Sequence, residues 1–457
     1  MAPEERTYIC AICVICGYMQ AEAVTMQTLN HQLAAIVGPA HLSEDGAPFA
    51  VHGRAPLLVA APASVEELAQ VVAACHSARV PVIPYGGGTM QSWGRPLVAE
   101  RFVAVRTTRL DKILIYEPDD LTISVQAGMS FATLDAALAA NGQMLPLDPP
   151  WPARSTIGGL LATGMDGPRR LGYGSARDLV IGIQMVEATG RVSKAGGMVV
   201  KNVSGFDMMK LYLGSLGTLG IIVSANFKLM PRPRAAASLS CRFARPEGAF
   251  ALADALRQGQ LTPAAVEYHE GQSALADSPG AASMFTLEVR VEGLAAAVER
   301  HLRDVTALAE RHGAAEVATL PNGSPEVGPL WALHNNLPQT LERDDDELVL
   351  RLSCLPAELP VALVDARALA ARNGLQLRLN ARALNGVAYL RLRGVELAAW
   401  HAAMLERWPH LTLLAAPVGL AAELPAWGRE PANLALMRRI KQEFDPDNLL
   451  NPGRFVV

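Results

Sequence analysis

The pattern of apolar and polar positions predicts alternating helices and strands through the first half of the chain. Ser64-Val65-Glu66-Glu67 is a capping box, with Ser at the N-cap and Glu three residues later, opening a helix to about Arg79. Val80 to Pro84 is a short apolar run expected as a buried strand, ended by Tyr85-Gly86-Gly87-Gly88-Thr89. Strands are expected again at Phe102 to Val105 and at Leu121 to Ala127, where apolar and polar residues alternate. Ser130 caps a helix to about Ala140, closed by Asn141-Gly142. Pro146 to Gly174 is rich in Pro, Gly and Arg and is expected to be a long irregular loop. A loop of that length in a compact domain is usually functional or disordered, and its apolar company favours function. Leu179 to Ala188 and Arg191 to Ala195 form a hairpin about Thr189-Gly190, Asp207 to Leu213 a helix, and Gly220 to Leu229 a strand.

Pro231-Arg232-Pro233-Arg234 reads as a stiff boundary. Beyond it helices are expected near Gly248–Gln258, Gly293–His312 and Glu358–Asn373, alternating with strands at Met284–Val291, Glu347–Ser353 and Val387–Arg393. No internal repeat of fixed period is visible. Asn433 to Phe444 is a last helix, stopped by Asp445-Pro446-Asp447-Asn448. The organisation expected is an N-terminal extension and helix over 1–48, a first domain over 49–233, an α+β second domain over 234–430, and a C-terminal helix and tail over 431–457 that returns to the first domain. At 457 residues, two or three domains fit the usual limit on a single core.

A net charge of −4 gives no case for a nucleic-acid partner. The apolar stretch Ile9 to Ile15 is far short of the ~20 residues of a membrane span and lacks the flanks of a secretory signal. The expected location is the cytoplasm, or the inner face of the membrane through partners. Cys75, Cys241 and Cys354 sit alone in apolar surroundings, as small buried hydrophobes. Cys10, Cys13 and Cys16 form one knuckle of a metal site, but the second pair that four-thiolate coordination needs does not follow. No metal site is expected. Asp344-Asp345-Asp346-Glu347 is read as a solvated run, and His269 and His334 as surface or internally satisfied residues rather than bases.

Candidate chemistry lies in the glycines. Gly86-Gly87-Gly88, Gly158-Gly159, Gly164 to Gly174 and Gly214 to Gly220 all fall in the first domain. Consecutive amides in such turns form an anion-binding concavity suited to phosphate. Neither the Rossmann fingerprint nor the P-loop is present, so a dinucleotide would be held by another arrangement. A Gly-x-Ser-x-Gly elbow is also missing, which removes hydrolase chemistry.

Three motifs then point to one family. Pro81 to Thr89 resembles the pyrophosphate loop of the vanillyl-alcohol-oxidase or PCMH-type FAD-binding flavoproteins. Ser155-Thr156-Ile157-Gly158-Gly159 through Gly164 resembles its second flavin loop. Val199 to Asp207 followed by Gly214 to Gly220 is similar to the branch containing FAD-binding subunits of glycolate-oxidising complexes, with which Gly167-Pro168-Arg169-Arg170 and Asn451-Pro452-Gly453-Arg454 agree. The resemblance implies a PCMH-type FAD-binding domain of two α/β subdomains, roughly Val51 to Pro233, plus an α+β cap domain. It implies FAD held by Tyr85, Gly86, Gly87, Gly88, Thr89, Met90, Thr156, Gly158, Gly159, Gly164, Lys201, Asn202, Gly205, Gly217, Thr218, Gly220, Ile222, Asn451 and Arg454. Lys201 and Asn202 have the alternative reading of a solvated and a turn residue, and Asp207 that of an N-cap.

Members often carry Arg before the first glycines, where this chain has Tyr85. The phosphate charge would fall to the amides alone unless Arg169, Arg170 or Arg454 compensates. Attachment of flavin through His or Cys has no candidate between His76 and His269 or between Cys75 and Cys241, so the FAD is expected to be non-covalent. The implied activity is oxidation of 2-hydroxy acids, glycolate or D-lactate, beside a second FAD-containing catalytic subunit and an iron-sulfur subunit. Alternatives are a stand-alone D-2-hydroxy-acid dehydrogenase and a non-catalytic flavin-containing scaffold. Related catalytic subunits carry a histidine cluster where this chain has Arg382 to Tyr389. Arg382 and Tyr389 replace the two histidines and are the weak catalytic candidates, with Tyr389 as plain strand packing the alternative.

Overall fold

The computed structural model describes residues 26–199, 206–270, 285–336 and 346–456. Cys10, Cys13, Cys16, Lys201, Asn202, Gly205, Asp344 and Asp345 lie outside them.

Strands β1 (Leu42–Ser43), β2 (Leu58–Ala60), β3 (Val82–Tyr85) and β4 (Val103–Arg106) form a sheet in the order β1-β2-β4-β3, with β2, β4 and β3 parallel. The helix Val65–Ser77 supplies the crossover from β2 to β3. Ser64 caps it as expected, accepting from the Glu67 amide at 3.1 Å, but the box does not close, because Glu67 accepts from the Ala63 amide, one residue before the N-cap, at 2.7 Å. A second, antiparallel sheet contains β5 (Ile113–Glu117) and β6 (Thr122–Gln126). After the short β7 (Gln143–Met144), β8 (Val180–Val186), β9 (Val192–Gly196) and β10 (Ile221–Lys228) complete it in the order β5-β6-β10-β8-β9. Leu68, Val71, Val72 and Cys75 of the capped helix share a core with Val186, Ile221 and Val223, which joins the two sheets.

Two expectations for this half need correction. Pro146 to Gly174 is not irregular throughout, because Ile157–Thr163 is a helix and Arg170–Tyr173 a helical turn. Thr156 caps the former and Gly164 ends it at φ 62°, so its glycine pair sits inside a helix. Asp207 is not an N-cap: Met208 holds that position before Met209–Tyr212, and Asp207 pairs with Lys210 at 2.7 Å. The stretch after β10 is tethered, since β11 (Met230–Pro231) pairs with β7 and Arg232 reaches Asp135 at 2.6 Å.

Beyond Arg234 the chain repeats a βαββαβ unit. The first has β12 (Ala235–Phe243), helix Pro246–Gln258, β13 (Ala265–Glu270), β14 (Phe285–Gly293), helix Ala295–Arg311 and β15 (Glu316–Pro321). The second has β16 (Leu348–Ser353), helix Leu359–Arg372, β17 (Gln376–Arg382), β18 (Val387–Arg393), helix Leu397–Arg407 and β19 (Leu411–Ala415). Pairing of β13 with β17 joins them into one antiparallel sheet, ordered β15-β12-β14-β13-β17-β18-β16-β19. The repeat is one of topology without a shared residue pattern, which is why no sequence period marks it.

Alternation in this sheet fixes its two faces. Leu239, Cys241, Val266, Tyr268, Leu287, Val289, Leu350, Ala381 and Leu390 pack under the four helices of the two units. Their neighbours in sequence, including Ser240, Glu267, His269, Glu288, Asn380, Arg382 and Tyr389, point the other way and are also buried. That polar face lies against the flavin-type domain, where Arg382 meets Asp166 and Val349, Val387 and Tyr389 join the core of the second sheet. The helix Val327–Asn336 lies there too, its Trp331 donating to Ser238 at 2.9 Å and its Asn336 accepting from the Trp151 amide at 2.9 Å.

Candidate active site

Four separate pieces of chain, with Thr107 just after β4, meet at one cleft. They are the turn after β3, the start of the Ile157–Thr163 helix, the loop before β10, and the tail that follows the helix Leu434–Phe444. They are woven together by backbone bonds: Leu216 N–H to Ala162, Gly214 N–H to Leu161, and both Val82 N–H to Leu449 and Asn451 N–H to Val82. The cleft is narrow, with about 90 Å³ of free space.

Of the residues expected to contact FAD, Gly86, Gly87, Gly88, Thr89, Met90, Thr156, Gly158, Gly159, Gly217, Ile222, Asn451 and Arg454 line it. Why the turn uses glycine is partly a matter of loop against loop. A Cβ on Gly87 would stand 1.7 Å from the Arg154 carbonyl oxygen, and one on Gly86 2.3 Å from Thr156 Oγ1. Close approach strips the turn of side chains and leaves its amides bare. Among the described residues, the N–H groups of Gly86 to Met90 reach no acceptor in the chain. Buried donors normally find a partner, so a run of free ones is the signature of a bound anion. The Gly158 amide differs: it is spent on the Ala127 carbonyl at 2.7 Å.

Arg454 supplies the cation. It is 2% exposed, donates to the Gln91 and Trp93 carbonyls at 2.8 Å, and sits 2.7 Å from His52 Nδ1. Among the described residues it has no carboxylate partner, and its Nε makes no hydrogen bond. Burial lowers its pKa to about 10, still charged at neutrality. A buried cation without a counter-ion is costly unless a ligand provides one. Asn451, at φ 44°, gives its Nδ2 to the Leu216 carbonyl at 2.6 Å and leaves its Oδ1 unpaired.

Other expected residues stand outside the cleft. Tyr85 packs edge-on against Phe49 at 5.1 Å, on the far side of the turn near Arg106 and Arg154. Gly164 is the helix C-cap. Thr218 donates to the Ser215 carbonyl at 2.6 Å, and its own carbonyl accepts from Lys441 at 2.9 Å. Gly220 makes room for Met185, whose Cε would be 2.8 Å from a Cβ there. Arg169 and Arg170 do not compensate for Tyr85, because Asp148 and Glu292 hold the first and Asp166 the second. Sequence reasoning missed Pro84, Gln91, Thr107, Ala162, Thr163 and Leu216. Leu216, buried at φ 54° between two glycines, was reachable from the motif alone.

The cap sheet contributes the second part of the site. Arg382 is fully buried, held by the Asp166 carboxylate and carbonyl, with its guanidinium 5.2 Å from the Tyr389 ring centre and its Nε 3.9 Å from Glu267. Burial works against the charge on Asp166, but Arg382, Arg351 and Arg170 outweigh it and hold the carboxyl below its ordinary value. Glu267 goes the other way: burial raises it to about 8 despite Arg382, with Asp148 and Asp166 adding to the rise. Tyr389 lies in β18 with its hydroxyl against Met165 Sδ at 3.9 Å. His269 and His334 are not at the surface. Both are buried beside Glu288, and burial, with His269 and Arg382 nearby, holds His334 well below the ordinary imidazole value.

Residues 56–205 match the FAD binding domain, and residues 232–404 with 423–455 match the C-terminal domain of FAD linked oxidases. The chain is 28% identical to glycolate oxidase subunit GlcD of Bacillus subtilis over 64% of its own length and 65% of that protein's. It is 39% identical to glycolate oxidase subunit GlcE of Escherichia coli over 36% of this chain and 46% of the relative. In both cases the match spans less than two thirds of the relative. Among solved structures, p-cresol methylhydroxylase superposes with a TM-score of 0.72 at 16% identity, over 94% of this chain and 96% of that one, which shows the PCMH-type fold. With a cleft of bare amides and an uncompensated arginine where the two meet, the chain combines the FAD binding domain with the C-terminal domain of FAD linked oxidases.

Proposed function

We propose that the chain is the FAD-binding subunit of a complex that oxidises small 2-hydroxy acids, glycolate foremost, beside a second FAD-containing catalytic subunit and an iron-sulfur subunit. The observation that carries it is the run of free amides from Gly86 to Met90 in the cleft that Arg454 enters without a carboxylate. Those groups hold the diphosphate of FAD. Thr156, Gly159, Gly217 and Asn451 close around the dinucleotide, and Ile222 offers backbone groups to a ring. Bound FAD supplies the two-electron acceptor for a CH–OH carbon, while the protein orients and excludes water. The lining contains neither His nor Cys, which supports non-covalent attachment. No helix of the described residues is long and apolar enough to cross a membrane, so any place at the inner face of one comes through partners.

Similarity to two different glycolate oxidase subunits supports the assembly, and so does the state of Arg382. A 2-hydroxy acid needs a cation for its carboxylate and a base for its hydroxyl proton. Arg382 already faces two carboxylates, Asp166 and Glu267. A substrate anion would have to displace one of them, so oxidation of the acid falls to the catalytic partner. One observation favours a stand-alone dehydrogenase instead: Glu267, with a pKa about 8 and an Oε1 lacking a hydrogen bond, is poised as a base. Anaerobic mixing decides between them. Glycolate alone should leave the ~450 nm flavin band unbleached, with bleaching after the partner subunits are added. Bleaching by glycolate or D-lactate without partners selects the second reading. A folded, colourless polypeptide that refuses micromolar FAD ends both.

A further inference from the structure

We infer that His269, Glu288 and His334 form a divalent-cation site, best matched to zinc, on the inner face of the cap sheet. The three come from β13, β14 and the helix Val327–Asn336, and one ligand atom of each lies within 4.8 Å of the others. His269 Nε2 and Glu288 Oε1 are 3.4 Å apart, close to the roughly 3.3 Å between ligands in a tetrahedron with ~2.0 Å bonds. All three are buried, at 5%, 0% and 1% exposure.

What distinguishes this from an ordinary buried polar cluster is the supply of unused atoms. Glu288 Oε2 and His334 Nε2 are buried without a hydrogen-bond partner. The supporting groups also have the arrangement that metal ligands require. Ser240 donates to Glu288 Oε1 at 2.9 Å, and the Asn380 amide lies 2.7 Å from His334 Nδ1. With the amide oxygen of Asn380 toward Nδ1–H, the lone pair of Nε2 is left for a metal, and the carbonyl fixes the ring. Two imidazoles and one carboxylate with a fourth position open is the donor set of a zinc centre rather than of magnesium or calcium, which take oxygen alone. Arg382 lies on the same face and opposes a cation, but the Asp166 carboxylate already neutralises it.

The site does not depend on the substrate reading and is tested by metal content. The holoprotein, with Cys10, Cys13 and Cys16 changed to Ser to remove competing thiolates, is stripped with chelator. It is then titrated with zinc chloride against a chromophoric zinc indicator. One equivalent per chain with micromolar or tighter Kd is expected. Cobalt(II) in its place should give the visible absorption of a tetrahedral site. His334→Ala and Glu288→Gln should each abolish binding, and Asn380→Ala should weaken it about 10- to 100-fold. Retained flavin absorbance and far-UV circular dichroism certify the fold of each variant. Folded, flavin-loaded parent protein that takes up no stoichiometric zinc overturns the proposal. So does uptake that persists in the His334→Ala, Glu288→Gln double variant.

Discussion

The flavin cleft and the inner face of the cap sheet are both polar surfaces shut inside the molecule, and they are made by opposite means. The cleft is made of main chain. Glycines at 86 and 87 let one loop lie on another, and the amides they expose are left free for a ligand. The cap face is made of side chains set on a rigid antiparallel sheet, where Glu267, His269, Glu288, Asn380 and Arg382 lie across three strands. A backbone site binds a class of ligand through shape and partial charge. A side-chain site tunes individual protons. The first should fail all at once when its loops are pushed apart, and the second should change by degrees.

The largest effect should come from Gly87→Ala. A Cβ 1.7 Å from the Arg154 carbonyl oxygen cannot be accommodated without moving backbone, so the purified variant should carry no flavin by absorbance while its cap still folds. Next is Trp400→Ala. This side chain is fully buried under the cap sheet and donates to the Ala366 carbonyl at 3.1 Å. Loss of about 3–5 kcal/mol is expected in chemical denaturation, with flavin content unchanged at low denaturant. If flavin falls in step with cap stability, the two regions are not independent and the comparison breaks.

Arg454→Met should weaken FAD binding about 100-fold, near 2.7 kcal/mol, from removal of a charged, multiply hydrogen-bonded group; flavin fluorescence during titration measures it. The remaining effect is the most specific to the cap. Glu267 titrates near 8 in the folded protein against an ordinary value of 4.5, so the native state holds a proton that the unfolded chain releases. Its contribution to stability is therefore complete below about 4.5 and is lost as pH rises through about 8. Glu267→Gln should flatten that decline, seen as thermal midpoints of the two proteins that converge at pH 5 and separate by pH 8. Parallel pH profiles would show that Glu267 is ionised throughout.

These differences also explain what could be read in advance. The cleft was legible because a backbone site needs residues of one kind close together. Gly86 to Met90 and Gly158-Gly159 announce themselves in a few positions, and family likeness adds Asn451 and Arg454. The roles given to Gly164, Thr218 and Gly220 were too generous, since each glycine or hydroxyl in a motif can serve the loop instead of the ligand. The cap was legible in its elements and opaque in its site. Strand β18 runs over the very residues expected, yet the pairing that brings β13 beside β17 is set by the duplicated unit, for which no local pattern speaks. His269, Glu288 and His334 are separated by 19 and 46 residues with ordinary neighbours on each side, so their convergence is a product of topology alone.

The tail gives the cleft an order of assembly. Leu449 and Asn451 add themselves as a bridge to Val82, and Arg454 then reaches Gln91 and Trp93, more than 350 residues upstream. Lys441, donating at once to Thr218, Asp445 and Leu450, fastens the helix that carries this segment. A ribosome that has finished the glycine turns has therefore not yet made a cofactor site. If the cleft takes flavin as proposed, capture waits until residues near 454 emerge from the exit tunnel, and an aborted translation product cannot be rescued by riboflavin supply.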